Sequence, residues 1–309
     1  MSGAPGLQAD APPAPSEDEG ARSTRATIRY LADGDWVTRR FVSPGVEHST
    51  GRYEDHEVLI RDGRAIRDRL TLDTHGFRLT DHVSAIRDFR DKDEVEANYG
   101  AEACALVKAL TGATHVVARG WMVRTSGELE PKTEKVVGYQ HHGGVQPPAG
   151  EVHVDFATAT AHRIAENTYK ASFPDGPGYR RFIATSLWRT FSPPPQDCPL
   201  ALCDGRSLRD EEGVRNTLHI VDDLPSEAEM IRPMEGEDQR IAASIFRYSP
   251  AHRWWYFSNM DRDEALLFKF FDSDHSVTWR CPHTAFWDKS LPEPNTRESI
   301  EFRSIAFFE

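Results

Sequence analysis

The chain has 309 residues, of which 39% are hydrophobic and 28% charged, a balance that fits a globular protein with an ample core. Its formal charge of −12 argues against nucleic acid or an anionic membrane surface as the main partner. No apolar run approaches the roughly 18 residues a membrane helix needs, and the four cysteines (Cys104, Cys198, Cys203, Cys281) have neither CxxC spacing nor scaffold density.

Residues 1–23 are rich in Pro, Ala, Gly and acidic side chains and lack the basic and apolar regions of a signal peptide. They are expected to form a disordered tail, followed by a single domain over 24–309 with reduced thiols and a cytoplasmic location. ATIRYLAD and HEVLIRDGRA look like strands. Next, DEVEANYGAEACALVKALTG predicts a helix, because Val95, Tyr99, Ala103, Leu106, Val107 and Leu110 share one face and Gly112 is a fitting stop. From THVVARGWMVR onward the pattern changes to short segments rich in β-branched and aromatic residues. EVHVDFA, RRFIATSLWRTF, NTLHIV, ASIFRYS, RWWYFSN, EALLFKFF and ESIEFRSIAFF are separated by Gly/Pro clusters such as HHGGVQPPAG and SPPPQD. The expectation is a mainly β protein with flanking helices, its strands forming a closed or double-layered antiparallel sheet.

The stretch EVHVDF raises a chemical question, because His153 and Asp155 stand two apart and would share one face of a strand. Composition alone predicts about two His-x-acid triplets and the chain has one, so the triplet carries no weight by itself. It gains weight from His283 in RCPHTAFW. Two histidines and one carboxylate that leave the opposite face open make the facial triad of non-haem Fe(II) oxygenases. A structural zinc site would instead close a fourth ligand, and Cys281, two residues before His283, keeps that alternative open.

The final segment adds a second element. In NTRESIEFRSIAFFE, Arg297, Ser299, Glu301 and Arg303 share one strand face by parity. Arg297 with Ser299 offers what a buried dicarboxylate needs, a planar fork and a hydroxyl donor. Candidate substrate contacts are Arg189, Trp188, Tyr256 and Arg303; Arg124 joins the arginines that could meet an anionic or carbonyl-bearing substrate, and Trp254 and Trp255 the aromatics that could wall a pocket, each of which also fits a structural role. His141 and His142, in a Gly/Pro-rich loop, suit a lid or a solvated loop.

With the order His-x-Asp, distant His, Arg-x-Ser in place, the chain resembles the iron and 2-oxoglutarate-dependent oxygenases. More closely, it resembles the hydroxylase/desaturase family of fungal and bacterial secondary metabolism, which includes relatives of cephamycin 7α-methoxylation. The carrying stretches are LTLDTHGFRL, YGAEACALVKALTGA, EVHVDFA, SLWRTF with PLALCDGRSL, YSPAHRWWYFSNM, LFKFFDSD, HTAFWD and RESIEFRSIAF, in family order over about residues 26–309. The resemblance implies a double-stranded β-helix (jelly roll), iron at His153, Asp155 and His283, and 2-oxoglutarate at Arg297. It further implies consumption of O₂ and hydroxylation, desaturation or rearrangement of a small specialised metabolite. One departure is Ser186, where the family tends to have Asn. The rival reading is a metal-binding, cupin-like jelly roll, or an oxygenase relative that does not use 2-oxoglutarate; oligomeric state is not fixed by the sequence.

Overall fold

The computed structural model describes residues 22–44, 46–129 and 144–309. Sixteen strands form two sheets among these residues. In spatial order, the ten-stranded sheet runs Ser23–Leu31, Tyr53–Asp62, Trp254–Tyr256, Leu200–Cys203 and His283–Ala285. It continues through His153–Val154, Ala242–Phe246, Gly213–Ile220, Arg39–Ser43 and Val46–Ser49. The six-stranded sheet runs Phe77–Asp81, Glu264–Asp272, Arg181–Thr190, Glu298–Phe308, His115–Thr125 and Val145–Gln146. Most neighbours are antiparallel, as expected, but three pairs are parallel: Gly213–Ile220 with Arg39–Ser43, Trp254–Tyr256 with Tyr53–Asp62, and His115–Thr125 with Val145–Gln146. The first strand begins at Ser23, the last residue assigned above to the tail; residues 1–21 lie outside the described residues.

Strand alternation decides what each face meets. On the final strand, Ile300, Phe302 and Ala306 pack outward with Val95, Tyr99, Ala103 and Val107 of the helical run. That run starts at Lys92, passes one wider turn over Val95–Tyr99, and ends as the helix Gly100–Thr111. Gly112 caps it in the left-handed region at φ 70°, its N–H donating to the Lys108 carbonyl. The opposite face of the final strand carries Ser299, Glu301 and Arg303 towards the larger sheet, followed by Ile305 and Phe307 in the core between the sheets. That core also holds Trp188, Leu202, Trp255, Phe268 and Phe270, drawn from both sheets.

A helix over Thr158–Ser172 was not expected from the sequence. Its buried stripe is Ala161, Ala165 and Tyr169, at four-residue spacing, and it closes one end of the inter-sheet core. Small side chains hide such a stripe from a search for large apolar residues, but the i, i+4 repeat of Ala157, Ala161, Ala165 and Tyr169 was present to be read.

Candidate active site

His153 and His283 sit on adjacent strands of the larger sheet and face each other directly in the pairing register. Their rings lie 4.4 Å apart between centroids. The strand bearing His153 is only two residues long, so Asp155 lies in the bend that follows it rather than on the strand itself. The bend still returns its carboxylate to the histidines: Oδ1 is 3.4 Å from Nε2 of His153 and 4.0 Å from Nε2 of His283. One ligand atom from each of the three residues falls within 4.8 Å of the others.

The outer contacts of the rings fix their tautomers. Nδ1 of His153 lies 2.8 Å from the Glu151 carbonyl, and Nδ1 of His283 lies 3.1 Å from the Cys281 carbonyl. A carbonyl only accepts, so each Nδ1 must carry the proton, leaving both Nε2 lone pairs aimed at one point. Burial, with the charge on His153 adding to it, pushes His283 down to about 3, so it stays neutral at physiological pH. Burial would likewise lower His153, but the hydrogen bond and charge of Asp155 outweigh it and raise the group.

Asp155 belongs to a buried chain of alternating charge. Burial alone would raise its carboxyl; the Arg303 guanidinium, then His153 and His283, reverse that and hold it well below the usual range. Nη2 of Arg303 is 2.7 Å from Oδ2 of Asp155. The contact is not aligned as a hydrogen bond, so charge carries it. Arg303 also donates to Glu301, whose other oxygen accepts from Nε of Arg124 at 3.2 Å. Nη1 of Arg124 continues to the Pro147 carbonyl at 2.9 Å.

Arg297 is 1% exposed and firmly placed. Its backbone N–H donates to Ser126 Oγ and Asp197 Oδ1, and its Nη1 donates to the Cys198 carbonyl at 2.8 Å. Its Nε and Nη2, and the fully buried Oγ of Ser299, have no hydrogen-bond partner within the protein. Buried donors are almost always paired, so two open guanidinium positions, with an open hydroxyl two residues further along the chain, mark a receptor for an anion. A small cavity connects the two halves, its wall including His153, His283, Trp188, Phe268, Arg124 and Arg297.

By donor type and charge, a metal and a dicarboxylate suit these residues. Asp155 and Glu301 stand against Arg124, Arg297 and Arg303, an excess of one positive charge with both histidines neutral. A divalent cation and a dianion added together leave that balance unchanged. Zinc closed by cysteine does not fit: the single proton of the buried Cys281 thiol lies against the Cys203 and Pro282 carbonyls, 3.6 and 3.8 Å from the sulfur, and burial holds the thiol well above its ordinary range.

On the other side of His153 and Asp155 opens a cavity of about 410 Å³, the size of a small-molecule pocket. The larger sheet lines it with the apolar Val42, Leu218, Ile220, Ile241, Ala243 and Ile245, together with Ser49 and the paired Arg40 and Glu47. The facing wall brings Met122, Arg124 and Arg303, and the segment Gln146–Glu151 forms a third side. Asn216 also lines it, 6% exposed, with Oδ1 unpartnered within the protein. No motif marks Asn216 in the sequence, and only the strand pairing brings it here.

Of the four candidate substrate contacts, Arg303 lines this cavity and Trp188 lines the smaller one. Arg189 goes elsewhere. It follows Trp188 on one strand and therefore points to the opposite face, where it donates to Tyr99 Oη, to the His82 and Arg262 carbonyls, and meets the His82 ring. Tyr256 is displaced for the same reason: Trp255 faces the inter-sheet core, while Trp254 and Tyr256 pack outward with Ile60 and Phe286. Ser186 is fully buried between Phe268 and Arg303 on neighbouring strands, its hydroxyl without a protein partner. His141 and His142 lie outside the described residues.

The position of Arg189 makes a clear prediction. Arg189→Met is expected to destabilise the fold by about 3–5 kcal/mol, the scale for removing a buried, fully bonded charge and leaving its partners unpaired. Co-substrate affinity of the folded fraction stays unchanged. Denaturant unfolding together with a binding titration checks both, and a variant with native stability would contradict the placement.

Comparison with known proteins agrees with this geometry. A family model described as "Oxidoreductase/YMDC permease-like domain" matches residues 28–307. No helix among the described residues is long and apolar enough to cross a membrane. The Fe(II)/2-oxoglutarate-dependent dioxygenase nvfI of Aspergillus novofumigatus is 31% identical over 272 residues, covering 85% of this chain and 87% of that protein. The hydroxylase/desaturase efuI of Hormonema carpetanum is 29% identical, covering 91% and 93% respectively. Among solved structures, the iron and alpha-ketoglutarate-dependent endoperoxidase NvfI superposes with a TM-score of 0.73 at 25% identity, over 93% of this chain and 98% of that one.

Proposed function

Because the chain belongs to the Fe(II)/2-oxoglutarate-dependent dioxygenase family that includes the hydroxylase/desaturase enzymes, we propose how its residues divide the work. Residues 24–309 act as one oxygenase domain, and the two facing sheets are its double-stranded β-helix. His153, Asp155 and His283 hold the iron; Arg297 and Ser299 hold the distal carboxylate of 2-oxoglutarate; the 410 Å³ cavity takes the substrate. Bound there, iron, 2-oxoglutarate and O₂ supply an oxidant able to take hydrogen from an unactivated C–H, giving hydroxylation or, with a second loss, desaturation.

The protein's own part is placement and exclusion. Each histidine ring is oriented by a backbone carbonyl that takes its Nδ1–H, which directs Nε2 of both rings to the same point. The fork of Arg297 fixes one end of the five-carbon diacid and thereby the orientation of the other. Trp188 and Phe268 keep water from that end, and the aliphatic residues from Val42 to Ile245 position the apolar part of a substrate by contact, while Arg40, Glu47 and Ser49 face its polar part. Asn216, with its open acceptor, favours a substrate that presents an O–H or N–H to it.

The observation that carries this reading is the buried guanidinium of Arg297, with two donors that have no partner within the protein, on the wall of the cavity that His153 and His283 also line. A plain metal-binding jelly roll has no use for it. The test is to titrate 2-oxoglutarate anaerobically into the Fe(II)-loaded protein, then to assay succinate release with a panel of small compounds that carry both apolar and polar groups. A charge-transfer band that saturates, and succinate release stimulated by at least one compound, are expected. Fe(II) binding without any response to 2-oxoglutarate would favour the cupin-like reading instead.

A further inference from the structure

The two oxygens of Asp155 have different surroundings. Oδ1 is the one close to both Nε2 atoms, at 3.4 and 4.0 Å, whereas Oδ2 faces Nη2 of Arg303 at 2.7 Å. Arg303 is itself held by Glu301, which Arg124 holds in turn, so the guanidinium has little freedom to leave. All of these groups are buried or nearly so.

A carboxylate can bind a divalent ion through one oxygen or through both. The difference matters where two histidines and one carboxylate must leave three positions open, two for a chelating 2-oxo acid and one for O₂. A second oxygen from Asp155 would fill one of them. We infer that Arg303 is a positioning residue: it occupies Oδ2, confines Asp155 to ligation through one oxygen, and so keeps a position clear for the co-substrate. The inference rests on the assignment of metal to this triad.

The arrangement has two consequences of opposite sign. A guanidinium beside the carboxylate competes with the metal for its charge, so removing it strengthens the attraction between Asp155 and a divalent ion. Freed, Oδ2 also becomes a second ligand atom. The same change crowds the site and weakens chelation by 2-oxoglutarate. A residue that only held the fold together would, when removed, weaken both.

The experiment compares the unsubstituted protein with Arg303→Gln and Arg303→Lys at pH 8. Mn(II) affinity is measured by calorimetry, and 2-oxoglutarate affinity by the charge-transfer absorbance of the anaerobic Fe(II) protein. Arg303→Gln is expected to bind Mn(II) about threefold or more tightly, as expected from loss of a competing charge. It is expected to bind 2-oxoglutarate about tenfold or more weakly, within the range seen when a partner of a metal ligand is lost. Arg303→Lys, which keeps the charge without the fork, should fall between, and it carries the comparison if the glutamine variant does not fold. Parallel weakening of both ligands, or no change in either, overturns the inference. Failure of the unsubstituted protein to bind Mn(II) is a distinct result that removes the metal assignment itself.

Discussion

Replacing Arg297 with methionine is expected to raise the melting temperature of the co-substrate-free protein while weakening 2-oxoglutarate by about ten- to a hundredfold. The two effects come from one fact. Nε and Nη2 of Arg297 are buried without partners, and each unsatisfied donor costs on the order of 1–3 kcal/mol in the empty protein. Burial also lowers the affinity of the guanidinium for its proton, a sign of the same desolvation. Methionine fills similar space without those donors; loss of the Nη1 bond to the Cys198 carbonyl offsets about 1 kcal/mol, and the empty fold still gains a few degrees on the scale of 2–4 °C per kcal/mol. The loss appears only with ligand: a bidentate charge-assisted contact contributes roughly 1.5–3 kcal/mol, and 1.4 kcal/mol is one decade of affinity. Arg297→Lys should recover part of the binding, since one ammonium cannot reproduce the fork. Thermal melts with and without 2-oxoglutarate, alongside the anaerobic titration, measure both halves. A variant less stable than the parent that still binds normally would refute the assignment.

Asp155→Asn should abolish turnover and reduce affinity for divalent metal by on the order of a hundredfold or more, exceeding the 10–100-fold that loss of a supporting partner causes. The amide keeps the shape but removes the one carboxylate, among the described residues, that is grouped with the two Nε2 atoms. Arg303 keeps its contact with Glu301, so the guanidinium is not stranded and the fold survives. Mn(II) titration and circular dichroism separate these outcomes. Normal metal affinity in this variant would show that the three residues are not the ligand set.

Much of this site could be read before the fold was known, and the reason is local. His153 and Asp155 are two apart, and Arg297 and Ser299 are two apart on a strand of obvious alternation. His283 needed the long-range pairing that sets it opposite His153, which chain order supported but spacing could not prove. The errors were also local. Offering Trp188 together with Arg189 as substrate contacts conflicts with strand alternation, since consecutive side chains face opposite ways. The same rule separates Tyr256 from Trp255. What lay beyond reach was three-dimensional: the contact of Arg303 with Asp155, the open acceptor of Asn216, and the parallel pairings that bring Arg39–Ser43 beside Gly213–Ile220.

The two main walls of the large cavity differ in what else depends on them. Met122 aside, the smaller sheet contributes Arg124 and Arg303, links in the chain that runs from Asp155 to the Pro147 carbonyl. A change there disturbs the iron, the co-substrate and the Gln146–Glu151 side of the cavity at once. Leu218, Ile220, Ile241 and Ala243 carry no group that joins that chain of charges, whereas Ile245 is the pairing partner of His153 and is best left as it is. Evolution, or an engineer, can reshape this aliphatic wall one residue at a time and alter which molecule is oxidised while the oxidising apparatus stays as it is. Divergence of substrate range among such enzymes should therefore accumulate on the larger sheet, and libraries aimed at new substrates should start there.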